Sequence, residues 1–356
     1  MDIKKFLEEK APLIDEAIEK YIPRKFSENS VLFKANPPRY GLNLEALNKT
    51  IAEPIWDILE RGGKRWRPVL FLLVCEALGK KAEDYFDFAI ISEVVHNGTL
   101  IIDDIEDASE FRRGKPSTYK LFGMDVAANV SNAMYYLPLL VFFAYRDQLS
   151  VGKANKIYEI YVQEMINLSL GQAIDIAWHK GLLKIDEVSE NQYLQMCAYK
   201  TGALSRMSVR MAAVLSDASE DATERLGRFA EAIGVAFQIQ DDVLDLGEWE
   251  FAEKKGGRGQ DITEGKRSLI VVHTLKVAGP KDRQRLIKIL SMHTASQKLR
   301  DEAIQIMEKY DSIDYAKKFA QKLVADAWEE VDKLLLDSNA KKGINEFVQF
   351  LIERET

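Results

Sequence analysis

The chain reads as an all-α protein on three observations. It holds only 20 glycines and 9 prolines in 356 residues, about 8% where about 12% is usual, so tight turns are few. No proline lies between Pro138 and Pro280 or after Pro280, which leaves long stretches where nothing breaks a helix. Apolar residues recur three and four apart, as in Ile157-Ile160-Tyr161-Met165-Leu168, with Glu164 on the same stripe, while no Asn-Gly hairpin joins alternating runs.

Composition narrows the function classes. With 47% hydrophobic and 29% charged residues the chain is globular and long enough to bury a sizeable core. A net charge of −7 gives no general nucleic-acid surface. Cys75 and Cys197 lie too far apart for a redox or metal motif and suit a reducing compartment. No apolar run reaches the ~18 residues of a membrane span, and the N-terminal MDIKKFLEEK lacks a signal core. The expectation is a cytoplasmic protein.

Helices are predicted over 3–21, 42–61, 66–79 and 84–107. Between the first two, 23–41 holds Pro23, Pro37, Pro38 and Gly41 and reads as a connector. Gly62-Gly63 and Arg112-Arg113-Gly114 read as loops. Further helices are predicted over 124–146, 152–179, 186–215 and 220–246. An irregular loop follows over 246–265, and then helices over 264–278, 282–293, 298–310, 313–336 and 341–353. Nothing resembles a repeat or a flexible linker, so 1–356 is expected to be one all-α domain.

The strongest chemical signal is Asp103-Asp104-Ile105-Glu106-Asp107, closing the apolar stretch from Ile90. Asp103 and Asp107 are i and i+4 and share a helix face, with Asp104 on the flank. Carboxylates this close repel unless a cation sits among them, and oxygen-only donors suit Mg²⁺ joined to a phosphate. A second cluster, Asp241-Asp242-Val243-Leu244-Asp245, repeats the pattern 138 positions later, with Gln238 one turn before it. One such cluster is often a solvated helix end, but two, each after an apolar helix, favour metal binding.

Cations lie beside the acids. Gly62-Gly63-Lys64-Arg65-Trp66-Arg67 puts three cations after two flexible glycines, a pattern suited to phosphate but also to a solvated helix start. Arg112-Arg113-Gly114-Lys115 follows Asp107 closely, as a diphosphate clamp or as a salt-bridge network would. His96 lies two turns before Asp103, where a structural histidine is the ordinary reading. Lys200-Thr201 sits mid-helix, Gln172 and Asp175 interrupt another apolar helix, and Gly259 to Lys266 forms a charged loop.

With these residues in place, the chain resembles the trans-isoprenyl diphosphate synthases, the farnesyl, geranylgeranyl and polyprenyl synthases. The resemblance rests on Gly62-Gly63-Lys64-Arg65, His96 through Asp107, Arg112-Arg113-Gly114, Lys200-Thr201, Phe237 through Asp245, and Gly259-x-Asp261-Ile262-x-x-Gly265-Lys266. These stand in the family's order over a motif-bearing core of about 62–266. The resemblance implies a bundle of long helices around a central apolar cavity, a homodimer, and head-to-tail condensation of isopentenyl diphosphate onto an allylic diphosphate (dimethylallyl, geranyl or farnesyl). It implies two or three Mg²⁺ ions, with Mn²⁺ as a substitute. Asp103, Asp104, Asp107, Asp241, Asp242 and Asp245 would hold the metal. Arg112, Lys200 and Lys266 would contact the allylic diphosphate. Lys64, Arg65, His96 and Arg113 would hold isopentenyl diphosphate, and Thr201 and Gln238 would sit near the reacting carbons.

Two departures stand out. Gly256 occupies the place of a common loop lysine, leaving Lys255 or Arg258 as the substitute cation, and Ser131-Asn132 replaces a frequent Gly-Asp. A class I terpene cyclase would carry an Asn/Ser/Glu-type second motif, and a non-catalytic subunit of a heteromeric synthase would have lost acidic residues. Here both clusters are intact. Thr99 lies about 6 Å and Gly98 about 7.5 Å below Asp103 along the helix, where bulky residues stop the chain in farnesyl synthases. Both are small, so the expected product is geranylgeranyl diphosphate, C20, and next a longer chain. Tyr135, Tyr136 and the residues around Val95 are candidates for the deeper stop.

Overall fold

The computed structural model describes residues 3–184, 187–247 and 258–352. The chain gathers into two compact units, both almost wholly helical.

The first unit comprises 1–161, 207–223 and 335–346. It contains α1 (Ile3–Tyr21), α2 (Val31–Ala35), α3 (Leu44–Leu47), α4 (Glu53–Glu60), α5 (Trp66–Ala77), α6 (Ile90–Glu106), α7 (Thr118–Phe122), α8 (Met124–Tyr136), α9 (Leu140–Tyr145) and the start of α10 (Val151–His179). The expected connector 23–41 contains α2. The expected helix 42–61 loosens into a π-turn over Asn48–Ala52, just before Pro54. Proline lacks the N–H that would continue the ladder. Asn48 uses this turn to accept a hydrogen bond from the Phe26 N–H at 2.6 Å. The expected helix 84–107 starts as a 3₁₀ segment, Ala82–Ala89, kinked at Tyr85.

Pro138 divides the expected helix 124–146, leaving a 3₁₀ turn over Leu137–Leu139. By length and composition Met124–Tyr145, with mean hydropathy 1.4, does reach what a membrane span needs, contrary to the sequence expectation; 44% of its most apolar window is buried in the fold.

Helix α5 is buried almost all round, as a central helix must be. Its Val69, Leu70, Phe71 and Leu73 are fully inaccessible, each contributing about 1.5–3 kcal/mol by leaving water. Helix α6 packs on α5 and α8. Gly98 sets the approach to α8: a Cβ there would stand 2.9 Å from Met134 Cβ and 3.2 Å from the Ser131 carbonyl. Ser131 Oγ, in turn, donates to the Gly98 carbonyl at 2.9 Å. The segment 207–223 joins this core through Ser208, whose hydroxyl donates to the Arg67 carbonyl at 3.1 Å.

The second unit comprises 162–206, 224–334 and the chain from 347 onward. It holds the rest of α10, then α11 (Glu190–Lys200), the beginning of α12 (Gly202–Leu215) and most of α13 (Glu220–Asp245). Helices Gln260–Glu264, Leu269–Val277, Pro280–Ser291, Gln297–Lys309 and Ser312–Val331 follow. Helix α11 starts at a capping box between Ser189 and Gln192 and stops at Thr201, so the expected helix 186–215 is two helices. The expected 264–278 begins later, at Leu269, because Gly265 ends a short helix in the left-handed region, φ 70°. Helices α10 and α11 touch at Gly171, where any Cβ would collide with the Lys200 backbone.

Candidate active site

In the first unit, the last turn of α6 carries the first acidic cluster. Asp103 and Asp107 are half-buried, and Asp107 caps the helix. The helix dipole places partial negative charge at this same end, so the carboxylates are held in a field that favours a cation. Asp104 is fully buried, and its Oδ1 accepts Arg112 Nε at 2.9 Å and Nη2 at 2.5 Å. Burial pushes the Asp104 carboxyl above its ordinary range, against the opposing pull of Arg112. Burial would lower the Arg112 guanidinium, but Asp104, with Asp103 and Asp107 behind it, outweighs burial and raises it.

Arg112 reaches back because the loop after α6 is a small hairpin. Strands Phe111–Arg112 and Lys115–Pro116 pair antiparallel, with Arg112 opposite Lys115. Arg113 (φ 51°) and Gly114 (φ 76°) form the two-residue turn, both left-handed as a type I′ turn demands. The neighbouring arginines diverge. Arg113 donates to the Gly62 carbonyl and to Asn97 Oδ1, the latter at 3.2 Å. Gly62 (φ 89°), Gly63 (φ 143°) and Arg65 (φ 48°) give the basic loop its tight path.

Lys64 is exposed, whereas Arg65 is only 2% exposed. Arg65 donates from Nε to Asp15 at 3.0 Å, from Nη1 to Glu93 at 2.9 Å and from Nη2 to the Leu59 carbonyl at 2.8 Å. His96 is half-buried. Burial, then the charges of Arg67, Arg113, Arg112 and Arg65, hold it well below its ordinary pKa. It is therefore a neutral imidazole among arginines.

In the second unit, Asp241 is half-buried while Asp242 and Asp245 are buried. Asp242 accepts from Tyr193 Oη at 2.8 Å and Gln238 Nε2 at 2.9 Å, and Gln238 Oε1 accepts from Thr201 Oγ1 at 3.1 Å. Burial, then the charge of Asp261, pushes Asp242 up to about 7. Asp245 Oδ2 accepts the Asp261 N–H at 3.0 Å, tying the helix Gln260–Glu264 to the acidic helix. Lys266 pairs with Asp261 and with Glu264, both at 2.9 Å. Lys200 pairs with Asp175 at 2.5 Å across the close contact at Gly171. Arg258 donates to the Leu246 carbonyl at 2.7 Å and lies 3.5 Å from Glu308. Lys255 and Gly256 lie outside the described residues.

Each unit thus collects its own predicted residues. Lys64, Arg65, His96, Asp103, Asp104, Asp107, Arg112 and Arg113 belong to the first, with Gly98 and Thr99. Lys200, Thr201, Gln238, Asp241, Asp242, Asp245 and Lys266 belong to the second. Glu93, Asn97 and Tyr193 were missed. The available signals were a glutamate and an asparagine within an apolar helix, and a tyrosine four residues before Cys197. A cavity of about 420 Å³ in the second unit, lined in part by Trp178, His179, Lys184, Arg267 and His293, touches the predicted motifs only at Gly265.

A family model described as polyprenyl synthetase matches residues 48–307. The chain belongs to the polyprenyl synthetase family. As such it is a prenyltransferase that elongates isoprenyl diphosphates. A short chain isoprenyl diphosphate synthase of Methanothermobacter thermautotrophicus is 34% identical over 86% of this polyprenyl synthetase and 91% of that protein. The crystal structure of a geranylgeranyl pyrophosphate synthetase from Pyrococcus horikoshii superposes with a TM-score of 0.82, at 31% identity and 99% coverage of both chains. A decaprenyl diphosphate synthase from Rhodobacter capsulatus shares the fold with a TM-score of 0.81 at 21% identity, again over 99% of each chain. The all-α expectation is borne out.

Proposed function

We propose that this polyprenyl synthetase makes geranylgeranyl diphosphate, C20, by Mg²⁺-dependent addition of isopentenyl diphosphate to a dimethylallyl, geranyl or farnesyl primer. The observation that carries the metal-dependent part is the shared build of the two acidic clusters. In each, the second aspartate is clamped inside its own unit while the first is half-exposed at the helix end. The donors fit the ion. Asp103, Asp107 and Asp241 supply hard oxygens, and Asp104 Oδ2 is buried without a hydrogen-bond partner. Among the described residues no three His, Cys, Asp or Glu side chains form a closed metal cage. Mg²⁺ asks for none, since it takes one or two carboxylates and completes its shell with water and phosphate. Asp103, Asp104, Asp107 and Asp241 would hold it, with Asp242 and Asp245 behind Asp241.

When bound, Mg²⁺ neutralises charge on the leaving diphosphate. Arg112, Lys200 and Lys266 add fixed positive charge for the allylic diphosphate as its C–O bond breaks. Lys64, Arg65, Arg113 and neutral His96 hold isopentenyl diphosphate. Its double bond forms the new C–C bond to the allylic carbon, and the proton it loses passes to the departed diphosphate. Thr201 and Gln238 line the reacting carbons, and apolar walls exclude water from the cation. The C20 assignment is supported by the likeness to the Pyrococcus horikoshii geranylgeranyl pyrophosphate synthetase and by the small Thr99. A homodimer is supported by the family resemblance, and a single working domain and a cytoplasmic location by a sequence with no linker-like stretch and no disulfide-type cysteine spacing.

The test is the initial rate of allylic elongation by purified protein with Mg²⁺, with Mn²⁺ and with excess chelator. The reading predicts loss of turnover on chelation and recovery on adding either ion. Full turnover in chelator would sink the metal assignment.

A further inference from the structure

Two arginines from separate segments converge on one glycine. A Cβ on Gly63 would stand 3.1 Å from Arg65 Nη1 and 3.2 Å from Arg113 Nη2. Like charges that close repel, and burial deepens the repulsion by thinning the solvent that screens it. Burial accordingly lowers the Arg113 guanidinium, Glu93 opposes the shift, and Arg65 adds to it.

Glu93 is the counter-charge. It lies on α6 among Ile90, Ile91, Val94 and Val95 and is only 3% exposed. Its Oε1 accepts Arg65 Nη1 at 2.9 Å and Asn97 Nδ2 at 3.0 Å. Asn97, one turn on and fully buried, turns its Oδ1 to Arg113 Nη1 at 3.2 Å. The amide orientation is set by chemistry: flipped, it would face oxygen to carboxylate and N–H to guanidinium. A buried ion pair is by itself a weak source of stability, and it would need no relay to a second arginine. Arg65 also keeps a left-handed backbone, φ 48°, a strain that persists only where the surroundings over-determine it.

We propose that Glu93 and Asn97 are positioning residues, a buried carboxylate and an amide one turn apart on α6 that hold Arg65 and Arg113 converged on Gly63 as a preset clamp for the diphosphate of isopentenyl diphosphate. The inference rests on the isopentenyl assignment above. The clamp is formed before substrate arrives, so binding does not have to gather and order two long side chains. Neither residue contacts the reacting carbons, and their effect passes through the two guanidinium groups.

The test compares Asn97→Leu, which keeps the branched heavy-atom layout without the polar atoms, and Glu93→Gln, which keeps an acceptor for both partners, with wild type. Steady-state KM is measured for each substrate, with the melting temperature alongside. Each variant should raise KM for isopentenyl diphosphate about tenfold, as loosened substrate positioning does, and leave KM for the allylic primer within about twofold. Asn97→Leu should melt within a few degrees of wild type. Unchanged KM values, or both rising together with a lowered melting temperature, would overturn the positioning role and leave the enzyme's function standing. A rise confined to the allylic primer would overturn the subsite assignment, and this proposal with it.

Discussion

Within each acidic cluster the aspartates sit in different surroundings. Asp103 and Asp241 are half-buried at helix ends, while Asp104 and Asp242 are buried and bonded within their own units. Asp103→Ala and Asp241→Ala should each cut turnover by orders of magnitude and leave the helical circular dichroism unchanged. Asp104→Ala should also lower the melting temperature, because it strips Arg112 of its buried partner, a loss of about 1–3 kcal/mol. Unchanged melting of Asp104→Ala would refute this role for Asp104. Helical arithmetic made the shared face of Asp103 and Asp107 legible. It left the role of Asp104 hidden, since Arg112 returns to it only through the hairpin turn at Arg113-Gly114. His96 gives a pH test. Its native pKa lies well below the ordinary value, from burial first and then four arginines. The unfolded chain binds a proton near pH 6.5 that the native state refuses. Stability is therefore full above about pH 6.5 and falls as the pH drops below it. His96→Gln should flatten that fall in denaturant titrations at about pH 7.5 and about pH 5.5.

At the scale of elements, the long helices were legible because periodicity is unbroken over them: α10 and α13 fall within a residue of their expected bounds. The misses have local causes. Pro54 and Pro138 break the hydrogen-bond ladder, and a two-residue hairpin carries no periodic signal. Gly98 changes meaning once α8 is in place. Read as an empty floor, it predicts that Gly98→Phe shortens the product; packed against Met134 and Ser131, it leaves no room for a ring. Gly98→Ala should already destabilise the protein by about 1–3 kcal/mol through overpacking, seen in thermal melting. Thr99, half-buried and donating to the His96 carbonyl at 2.7 Å, is the better position for a chain stop. Thr99→Phe should shift the product toward C15 without that loss of stability. Tyr136 is 69% exposed, which leaves Tyr135, over Gly98, as the tyrosine closer to that face.

For the whole molecule, the all-α class and the order of the motifs were readable because they depend on pattern along the chain. The supports behind them were not. Glu93 meets Arg65, and Tyr193 meets Asp242, only through tertiary packing. Product length is likewise no property of the backbone. A geranylgeranyl pyrophosphate synthetase and a decaprenyl diphosphate synthase superpose on this chain with TM-scores of 0.82 and 0.81, so the shared fold does not fix it, and Thr99 is the position to test. The most direct measurement is chromatography of the dephosphorylated product made from excess isopentenyl diphosphate with dimethylallyl, geranyl or farnesyl diphosphate and Mg²⁺. The predicted result is a linear C20 alcohol from all three primers, with C15 passing through. Accumulation of the C15 alcohol, a cyclic hydrocarbon, or no elongation from any primer would contradict it.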